Sequence, residues 1–296
     1  MKYLVTGSAG LIGSNLVSEL VKSGKTVYSC FNKIKPQSGI PVKLDLLNFD
    51  EISKVFDDVQ PDIIIHLAAL TDVEKCEEEP RLANSINAEA TEIIAKESKT
   101  LQSYLIYLST DYVFDGKKGM YGETDITNPL NQYGKTKLSG EKAITSFAKK
   151  WTIIRTSTPF GTHPSKKTFP IWLLENIQNN KKINVLEDQF TSPTYVPNLG
   201  KMIVEIVSRN LEGLFHLSGS SKISRYEFAK KILKILDLND SLLIPTKTNS
   251  MPWKACRPLD SSLDVSKIYP LLTTKPLSIE ASLENFLPEL KDSFSL

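Results

Sequence analysis

Short apolar runs alternate with longer segments of helical periodicity through the first half of the chain. The apolar runs, rich in β-branched residues, predict strands at residues 3–6, 26–31, 63–67, 104–109 and 152–155. Between them, an apolar spacing of three and four predicts helices at residues 11–23, 49–59, 81–99 and 133–150. Strands that are apolar on both faces and separated by helices indicate an α/β fold with a doubly wound parallel sheet, because parallel neighbours need a crossover connection.

The pattern loosens in the second half of the chain. Loops rich in Pro, Thr and Ser surround predicted helices at about residues 168–179, 197–209 and 225–236, and one more strand is predicted at residues 213–217. We therefore predict a sheet domain at residues 1–157, to which the chain returns near residues 195–218, and a smaller lobe at residues 158–296 that caps the sheet.

Composition and charge exclude several classes of protein. The 296 residues are 41% hydrophobic and carry 36 basic and 34 acidic side chains, a net charge of +2. This balance supports a packed core and gives no electrostatic reason to expect nucleic acid or a membrane surface as a partner. The three cysteines are far apart, so neither a disulfide framework nor a metal site is expected. Without a signal sequence or a long apolar run, we expect a cytoplasmic protein.

A glycine-rich turn follows the first predicted strand and precedes the first predicted helix. Gly7, Gly10 and Gly13 occupy the positions where a dinucleotide-binding turn needs a tight bend, a close approach of the backbone to pyrophosphate, and close packing of helix on strand. The N–H groups at the helix N-terminus would hold the phosphates. The alternative is a glycine turn that serves only the fold.

The end of the second predicted strand bears on the choice of cofactor. An NAD site usually places Asp or Glu there for the ribose 2′-hydroxyl, whereas this chain has Asn32 and Lys33, with Lys35 close by. The absence of a carboxylate and the presence of two lysines favour NADP(H), with NAD(H) as the alternative. The two lysines would otherwise be solvated loop charges.

Two Tyr-x-x-x-Lys pairs are candidates for proton transfer to a carbonyl. A lysine one helical turn after a tyrosine can lower the pKa of the phenol. Tyr133 and Lys137 open a predicted helix, and Thr110 ends a strand shortly before it, where its hydroxyl could bind the same carbonyl. Tyr226 and Lys230 lie in an amphipathic pattern typical of a packing helix, so we assign them a structural role.

Several segments together resemble the dTDP-4-dehydrorhamnose reductases, which are extended short-chain dehydrogenases/reductases. The most specific segments are STDYVFDG at residues 109–116 and YGETDITNPLNQYGKTK at residues 121–137. Shorter matches are HLAALTDVE at residues 66–74 with INA at 86–88, DQ at 188–189 with PT at 193–194, and RP at 257–258 with SLD at 262–264. The resemblance covers nearly the whole chain and implies a Rossmann sheet with a C-terminal substrate-binding lobe.

The resemblance also implies a role for individual residues. Tyr133 would protonate the sugar C4 oxygen as hydride arrives, Lys137 would lower the tyrosine pKa and hold the nicotinamide ribose, and Thr110 would orient the keto group. Asp111 would contact the sugar, and Arg257 is a candidate for the substrate diphosphate, unless it pairs with Asp260. The implied cofactor-binding residues are Gly7, Gly10, Leu11, Ile12, Gly13, Asn32, Lys33, Asp45, Leu46, Ala68, Ala69, Leu70, Tyr133 and Lys137. From its family position, Asn87 would anchor the site through a water.

The expected activity is therefore NADPH-dependent reduction of the 4-keto group of a nucleotide-linked 4-keto-6-deoxy sugar, and the expected partner is that sugar nucleotide. Leu11 and Thr158 depart from the family, where glutamine and tryptophan are usual, and the loss of the aromatic ring at Thr158 bears on the identity of the sugar more than on the reaction. A second hypothesis is dehydration or epimerisation, although Tyr112 stands where dehydratases have glutamate. A third is a non-catalytic regulatory subunit, because the β subunit of methionine adenosyltransferase shares these motifs. Whether the chain forms a homodimer stays open.

Overall fold

The computed structural model describes residues 1–294. Its strands, in chain order, are β1 (Lys2–Thr6), β2 (Thr26–Phe31), β3 (Ile40–Lys43), β4 (Ile63–His66), β5 (Tyr104–Thr110), β6 (Lys150–Thr156), β7 (Pro159–Phe160), β8 (Ile183–Leu186), β9 (Phe190–Thr191), β10 (Thr194–Tyr195), β11 (Gly213–His216), β12 (Ile223–Ser224) and β13 (Leu243–Thr246).

The α-helices are α1 (Leu11–Lys22), α2 (Phe49–Val59), α3 (Val73–Glu78), α4 (Pro80–Asn84), α5 (Ala90–Thr100), α6 (Gln132–Phe147), α7 (Phe169–Gln178), α8 (Val196–Arg209), α9 (Arg225–Ile235) and α10 (Ile279–Phe294). A π-helical turn, Ser85–Glu89, joins α4 to α5. Single 3₁₀ turns lie at Asp111–Val113, Thr248–Ser250 and Tyr269–Leu271.

Seven parallel strands form the central sheet in the order β11-β6-β5-β4-β1-β2-β3. The chain starts in the middle, runs outward to β3, returns to β4 and then runs outward to β11. The strand order therefore reverses between β1 and β4, and a doubly wound sheet binds its ligand at the carboxyl ends of the strands beside such a reversal. The predicted fold class is confirmed.

Each face of the sheet is covered by helices because the strand side chains alternate between the two faces. Val5 and Ile65 pack with α1 and α8 in one apolar cluster, and Leu4 and Ile64 pack with α2 and α5 in the other. All four side chains are fully buried. Because both faces of these strands are buried, their sequences are continuous apolar runs.

A third apolar cluster lies in the second half of the chain. Phe160, Phe228 and Phe286 are fully buried there, and their rings meet edge to face at centroid separations of 5.3 and 5.5 Å. The cluster gathers α7, α9, α10 and β8, whereas α8 and β11 belong to the sheet side. Val265, Ile268 and Leu272 also belong to the sheet-side cluster. The proposed lobe at residues 158–296, interrupted near residues 195–218, stays a prediction.

Several predicted boundaries are wrong. The helix predicted at 81–99 is two α-helices joined by the π turn, and the helix predicted at 133–150 ends at Phe147. Its C-cap, Ala148, is already extended, because the following β-branched run enters β6. Two elements were not predicted from the sequence: the edge strand β3, whose side chains are mostly exposed, and the helix α10. Within residues 1–294, no helix combines the length and apolarity needed to cross a membrane.

Candidate functional site

The glycine turn joins β1 to α1 with the geometry that a phosphate site requires. Gly7 has φ +68°, and a Cβ there would lie 2.8 Å from the amide nitrogen of Ala68, so only glycine fits between the ends of β1 and β4. Gly10 is the N-cap of α1 and provides no side-chain hydrogen bond to the helix. The first N–H groups of α1 therefore have no side-chain capping partner, and the positive end of the helix dipole can attract an anion. This turn fits the pyrophosphate of a dinucleotide.

The ends of β2 and β3 form the other predicted part of the cofactor site. Asn32 and Lys33 are exposed where β2 ends. The ammonium of Lys43, which ends β3, donates to the Asn32 backbone carbonyl and, at 3.0 Å, to its Oδ1. Lys43 could not be predicted as part of this site, because the sequence around it carries no strand pattern. Asp45 is half-buried and Leu46 is buried just beyond β3.

A buried hydrogen-bond chain fixes the ends of β1 and β4. The Thr6 hydroxyl oxygen accepts from the backbone N–H groups of Leu67 and Ala68, both at 3.2 Å, so its own hydrogen goes to His66 Nδ1 at 2.6 Å. The other ring nitrogen of His66 then donates to Thr91 at 3.0 Å. Burial, reinforced by Lys137, lowers the pKa of His66 to about 3, so the ring is neutral and structural.

Asn87 fastens the loop after β4 to the helix that carries the tyrosine. Its side-chain carbonyl accepts from the Leu70 backbone N–H at 2.8 Å, and its amide donates to the Leu70 carbonyl and the Thr136 hydroxyl, both at 3.1 Å. The half-buried residues 68–70 are therefore held beside α6. These bonds are direct, and the expected role of Asn87 through a water stays a prediction.

Thr110, Tyr133 and Lys137 meet where β5 ends and α6 begins. Asn131 caps α6 by accepting from the Gly134 N–H at 2.9 Å, which places Tyr133 and Lys137 in its first two turns. Lys137 is buried, with its Nζ 4.0 Å from the ring centroid of Tyr107. Thr110 lies within hydrogen-bond reach of the Tyr133 phenol. The structure brings together the three residues predicted to be catalytic.

Burial is the largest cause of the pKa shifts of Tyr133 and Lys137. It raises the pKa of Tyr133 above its ordinary value, while the hydrogen bond with Thr110 acts in the opposite direction. It lowers the pKa of Lys137 to about 7, against a smaller opposing effect of Glu141. We expected a lowered tyrosine pKa, but the desolvation of the phenol outweighs any help from the lysine.

A further acidic group, Glu141, lies one turn beyond Lys137 on α6. Its carboxylate accepts from Arg155 Nε at 2.9 Å and Nη2 at 2.6 Å, and from the Ser109 hydroxyl at 2.5 Å. All three side chains are buried. Because a bidentate pair of this kind resists displacement, it locks α6 to the ends of β5 and β6.

Asp111 and Arg257 take partners that the sequence could not indicate. Asp111 is buried and accepts hydrogen bonds from three hydroxyl groups of the protein, so its predicted contact with the sugar stays a prediction. Arg257 pairs with Glu74 at 3.1 Å and lies over the Trp253 ring at 3.8 Å from the centroid. It does not pair with Asp260, which binds Lys222 instead.

A second arginine, Arg225, lies near the same position. Arg225 and Arg257 both favour the ionised form of Tyr112, whose ring meets that of Tyr133 at 5.9 Å. Burial lowers the pKa of the Arg225 guanidinium, with Arg257 acting in the same direction. The positive charges of Arg225 and Arg257 near Tyr112 are suited to binding a polyanionic ligand.

The second Tyr-x-x-x-Lys pair lies on α9, away from the sheet. Tyr226 packs against the third apolar cluster, and Lys230 pairs with Glu227 at 3.6 Å. This environment supports the structural role predicted for the pair. Among residues 1–294, no group of three or more His, Cys, Asp or Glu side chains is arranged to hold a metal ion.

Comparison with known proteins gives full-length matches. The model of the RmlD substrate-binding domain family matches residues 1–292. The chain is 31% identical to dTDP-4-dehydrorhamnose reductase of Aggregatibacter actinomycetemcomitans, over 96% of this chain and 97% of that protein. It is 32% identical to methionine adenosyltransferase 2 subunit beta of Rattus norvegicus, over 97% of this chain and 88% of that protein. The crystal structure of dTDP-4-dehydrorhamnose reductase from Bacillus anthracis in complex with NADP is 32% identical and superposes with a TM-score of 0.89, covering 97% of this chain and 99% of that one.

Proposed function

The chain belongs to the RmlD substrate-binding domain family, and from this membership we propose that it reduces the 4-keto group of a nucleotide-linked 4-keto-6-deoxy sugar with NADPH. The observation that carries the proposal is the convergence of Thr110, Tyr133 and Lys137 beside the glycine turn, at the carboxyl ends of the strands. In a doubly wound sheet, this edge is where a cofactor and a sugar ketone would be held together.

The side chains divide the work of the reduction. NADPH supplies the hydride when it is bound. Tyr133 gives its phenol proton to the ketone oxygen, Thr110 orients the phenol and the ketone, and the Lys137 ammonium stabilises the phenolate that remains and binds the nicotinamide ribose. Because burial raises the pKa of Tyr133, the phenol keeps its proton at neutral pH until the ketone arrives.

The cofactor site favours NADPH. Gly7, Gly10 and Gly13 leave room for the pyrophosphate at the N-terminus of α1, and Leu11 and Ile12 follow at its first turn. Lys33 and Lys43 place two cations near the predicted position of the 2′-phosphate. Asp45 and Leu46 would flank the adenine, and residues 68–70 would line the remainder of the cofactor.

Arg225 and Arg257, whose charges both act on Tyr112, would bind the diphosphate of the substrate. Similarity to dTDP-4-dehydrorhamnose reductases favours dTDP-4-dehydrorhamnose as the substrate. Thr158 is the position where a different sugar would be accommodated. A homodimer and a cytoplasmic location stay predictions of the sequence.

A regulatory role is the second candidate, because the regulatory β subunits of methionine adenosyltransferase are as similar to this chain as the reductases are. A co-purifying enzyme whose kinetics change on binding would favour it. Measured turnover that depends on Tyr133 would refute a role without catalysis.

Tyr133→Phe provides the test, with Tyr226→Phe as its matched control. We expect the wild-type protein to oxidise NADPH when dTDP-4-dehydrorhamnose is added, more efficiently than NADH. Tyr133→Phe should lower kcat by about 10²–10⁴-fold, because it removes the proposed proton donor. Tyr226→Phe, on α9, should retain wild-type kcat. A folded wild-type protein that oxidises no cofactor with a panel of nucleotide 4-keto sugars would contradict the proposal, as would full activity of Tyr133→Phe.

A further inference from the structure

A loop from the second half of the chain reaches the glycine turn. Residues 161–168 connect β7 to α7, and Nε2 of His163 lies 3.1 Å from the backbone carbonyl oxygen of Ala9. Ala9 stands between Gly7 and Gly10, in the turn that fits the pyrophosphate of a dinucleotide. His163 therefore joins the second half of the chain to the part of the sheet domain that would bind the cofactor phosphates.

The hydrogen bonds of the His163 ring show which nitrogen carries the proton. A carbonyl oxygen can only accept, so Nε2 donates to Ala9. The other ring nitrogen, Nδ1, accepts from the backbone N–H of Ser165 at 3.2 Å. Burial lowers the pKa of His163, which favours this neutral ring. The ring is thus bonded on one side to its own loop and on the other side to the glycine turn.

The loop that carries His163 is anchored at both ends within the second half of the chain. Near its start, the Thr162 hydroxyl donates to Oε2 of Glu289, on α10, at 2.6 Å. At its end, the Thr168 hydroxyl donates to the Gly161 carbonyl at 2.9 Å and closes the loop. The position of the His163 ring therefore does not depend on the glycine turn alone.

The bond from His163 sets the direction of one peptide group in the turn. The N–H of this peptide belongs to Gly10 and donates to the Gly7 carbonyl at 3.0 Å, whereas its carbonyl belongs to Ala9 and accepts from the histidine. Because a trans peptide is planar, its N–H and C=O point in opposite directions, and both are bonded here. Without the histidine, the Ala9 carbonyl is free to turn, and its partial negative charge would repel an anion at the N-terminus of α1.

We propose that His163 is a positioning residue for the cofactor: its Nε2–H holds the Ala9 carbonyl and so keeps the glycine turn in the form that binds the pyrophosphate of NADPH. The inference rests on the NADPH binding that the proposed function requires. It gives a loop of the second half an effect on cofactor affinity and none on proton transfer. Such coupling is reciprocal, so bound NADPH must strengthen the bond by the same factor by which the bond strengthens NADPH binding.

A fluorescence titration with NADPH, in the absence of any sugar, measures the effect on affinity. We expect His163→Ala to raise the Kd for NADPH by about 3–10-fold, the net contribution of one hydrogen bond, and to leave kcat at saturating NADPH within about twofold of wild type. Because the titration needs no turnover, a protein that binds NADPH but reduces no sugar contradicts the proposed function and still tests His163. A wild-type protein that does not bind NADPH overturns both.

Two amide substitutions at the same position provide the matched control. Glutamine carries its amide nitrogen near the position of the histidine Nε2, whereas asparagine carries it near that of Nδ1. His163→Gln should therefore keep the Kd for NADPH within about twofold of wild type, and His163→Asn should raise it as much as His163→Ala does. Equal effects of the two amides would mean that the bond to Ala9 is not the cause, and would overturn the proposal.

Hydrogen exchange measures the reciprocal effect in the wild-type protein. The Ser165 N–H bonds to the His163 ring, so its exchange reports whether the ring is in place. NADPH should slow this exchange by about 3–10-fold in the wild type and leave it unchanged in His163→Ala. The proposal is overturned if NADPH does not slow exchange in residues 161–168 of the wild type, or if His163→Ala has the wild-type Kd. It is also overturned if the loss of affinity comes with an equal loss of kcat and a lower Tm of the cofactor-free protein.

Discussion

At the scale of single residues, burial acts in opposite directions on Tyr133 and Lys137. It keeps the phenol protonated and weakens the charge on the lysine, whose pKa falls to about 7. Glu141, one turn away, partly restores that charge. The lysine therefore titrates in the range where the enzyme would work, whereas the tyrosine does not.

This difference predicts a pH profile. Lys137 is protonated below about pH 7 and loses its charge as the pH rises above that value. Because the charge stabilises the phenolate, kcat/KM should fall toward tenfold per pH unit above about pH 7, measured as NADPH oxidation in the free-enzyme regime. Lys137→Arg, whose guanidinium stays charged, should flatten this fall. A profile that is flat to pH 9 in the wild type would show that the lysine charge is not used.

Residue identities indicated Thr110, Tyr133 and Lys137 as the proposed catalytic residues, which the structure places at neighbouring ends of β5 and α6. They could not predict the surroundings of Asp111. The serines that bind it are 46 and 150 positions away along the chain. Such hydrogen bonds depend on tertiary structure, which no local pattern reports. The Glu74 partner of Arg257, 183 positions away, was missed for the same reason.

At the scale of elements, the π turn at Ser85–Glu89 connects the loop after β4 to α6, which carries Tyr133 and Lys137. It contains Asn87, which makes both bonds to Leu70 and one to Thr136 on α6. A π turn inserts one residue into a helix and rotates the side chains that follow. The pattern predicts one helix over residues 81–99, because the apolar spacing is helical both before and after the inserted residue.

Asn87→Ala tests the importance of this turn. It leaves the Leu70 N–H without its side-chain acceptor, and the Leu70 carbonyl keeps only the weaker Cys76 thiol donor at 3.4 Å. We therefore expect the free energy of unfolding to fall by about 2–3 kcal/mol in urea titrations. The matched control is Asn84→Ala in the preceding turn, whose amide bonds only the exposed Glu89 at 2.9 Å. It should change stability by less than about 0.5 kcal/mol. Equal effects of the two substitutions would contradict a special role for Asn87.

The elements that the sequence could predict are those with strong periodicity. Helix α2 and strand β2 have the predicted bounds, because the pattern of apolar and polar residues in each segment fits only one type of element. Strand β3 was missed since its pairing with β2 at the sheet edge leaves most of its side chains in solvent. An exposed edge strand carries little apolar signal, and its existence depends on its neighbour.

At the scale of the whole molecule, two buried neutral histidines tie stability to pH. Burial lowers the pKa values of His66 and His216 to about 3. In the unfolded chain both histidines bind protons near pH 6.5, so stability is lost as the pH falls from 6.5 toward 3. Between pH 6.5 and 5, above the range of the carboxylates, each should remove up to about 2 kcal/mol from the free energy of unfolding.

Urea unfolding at pH 6.5 and pH 5 measures this loss. His66→Gln should reduce it by about half, because glutamine does not titrate and can bond to Thr6 or Thr91. His163, which is only half-buried, provides the control, and His163→Gln should leave most of the pH dependence intact. Stability that is equal at both pH values would mean that the two buried rings are protonated in the fold.

The whole molecule, finally, must bring a sugar ketone and a nicotinamide together at the carboxyl ends of β1, β4 and β5. The most direct measurement follows deuterium from the transferable C4 position of the nicotinamide of NADPH to dTDP-4-dehydrorhamnose. The account predicts one deuterium at C4 of the reduced sugar, one NADPH consumed for each sugar, and neither event with Tyr133→Phe. Loss of water or inversion at C4 without net consumption of NADPH, or an unchanged sugar with the folded wild-type protein, would contradict it.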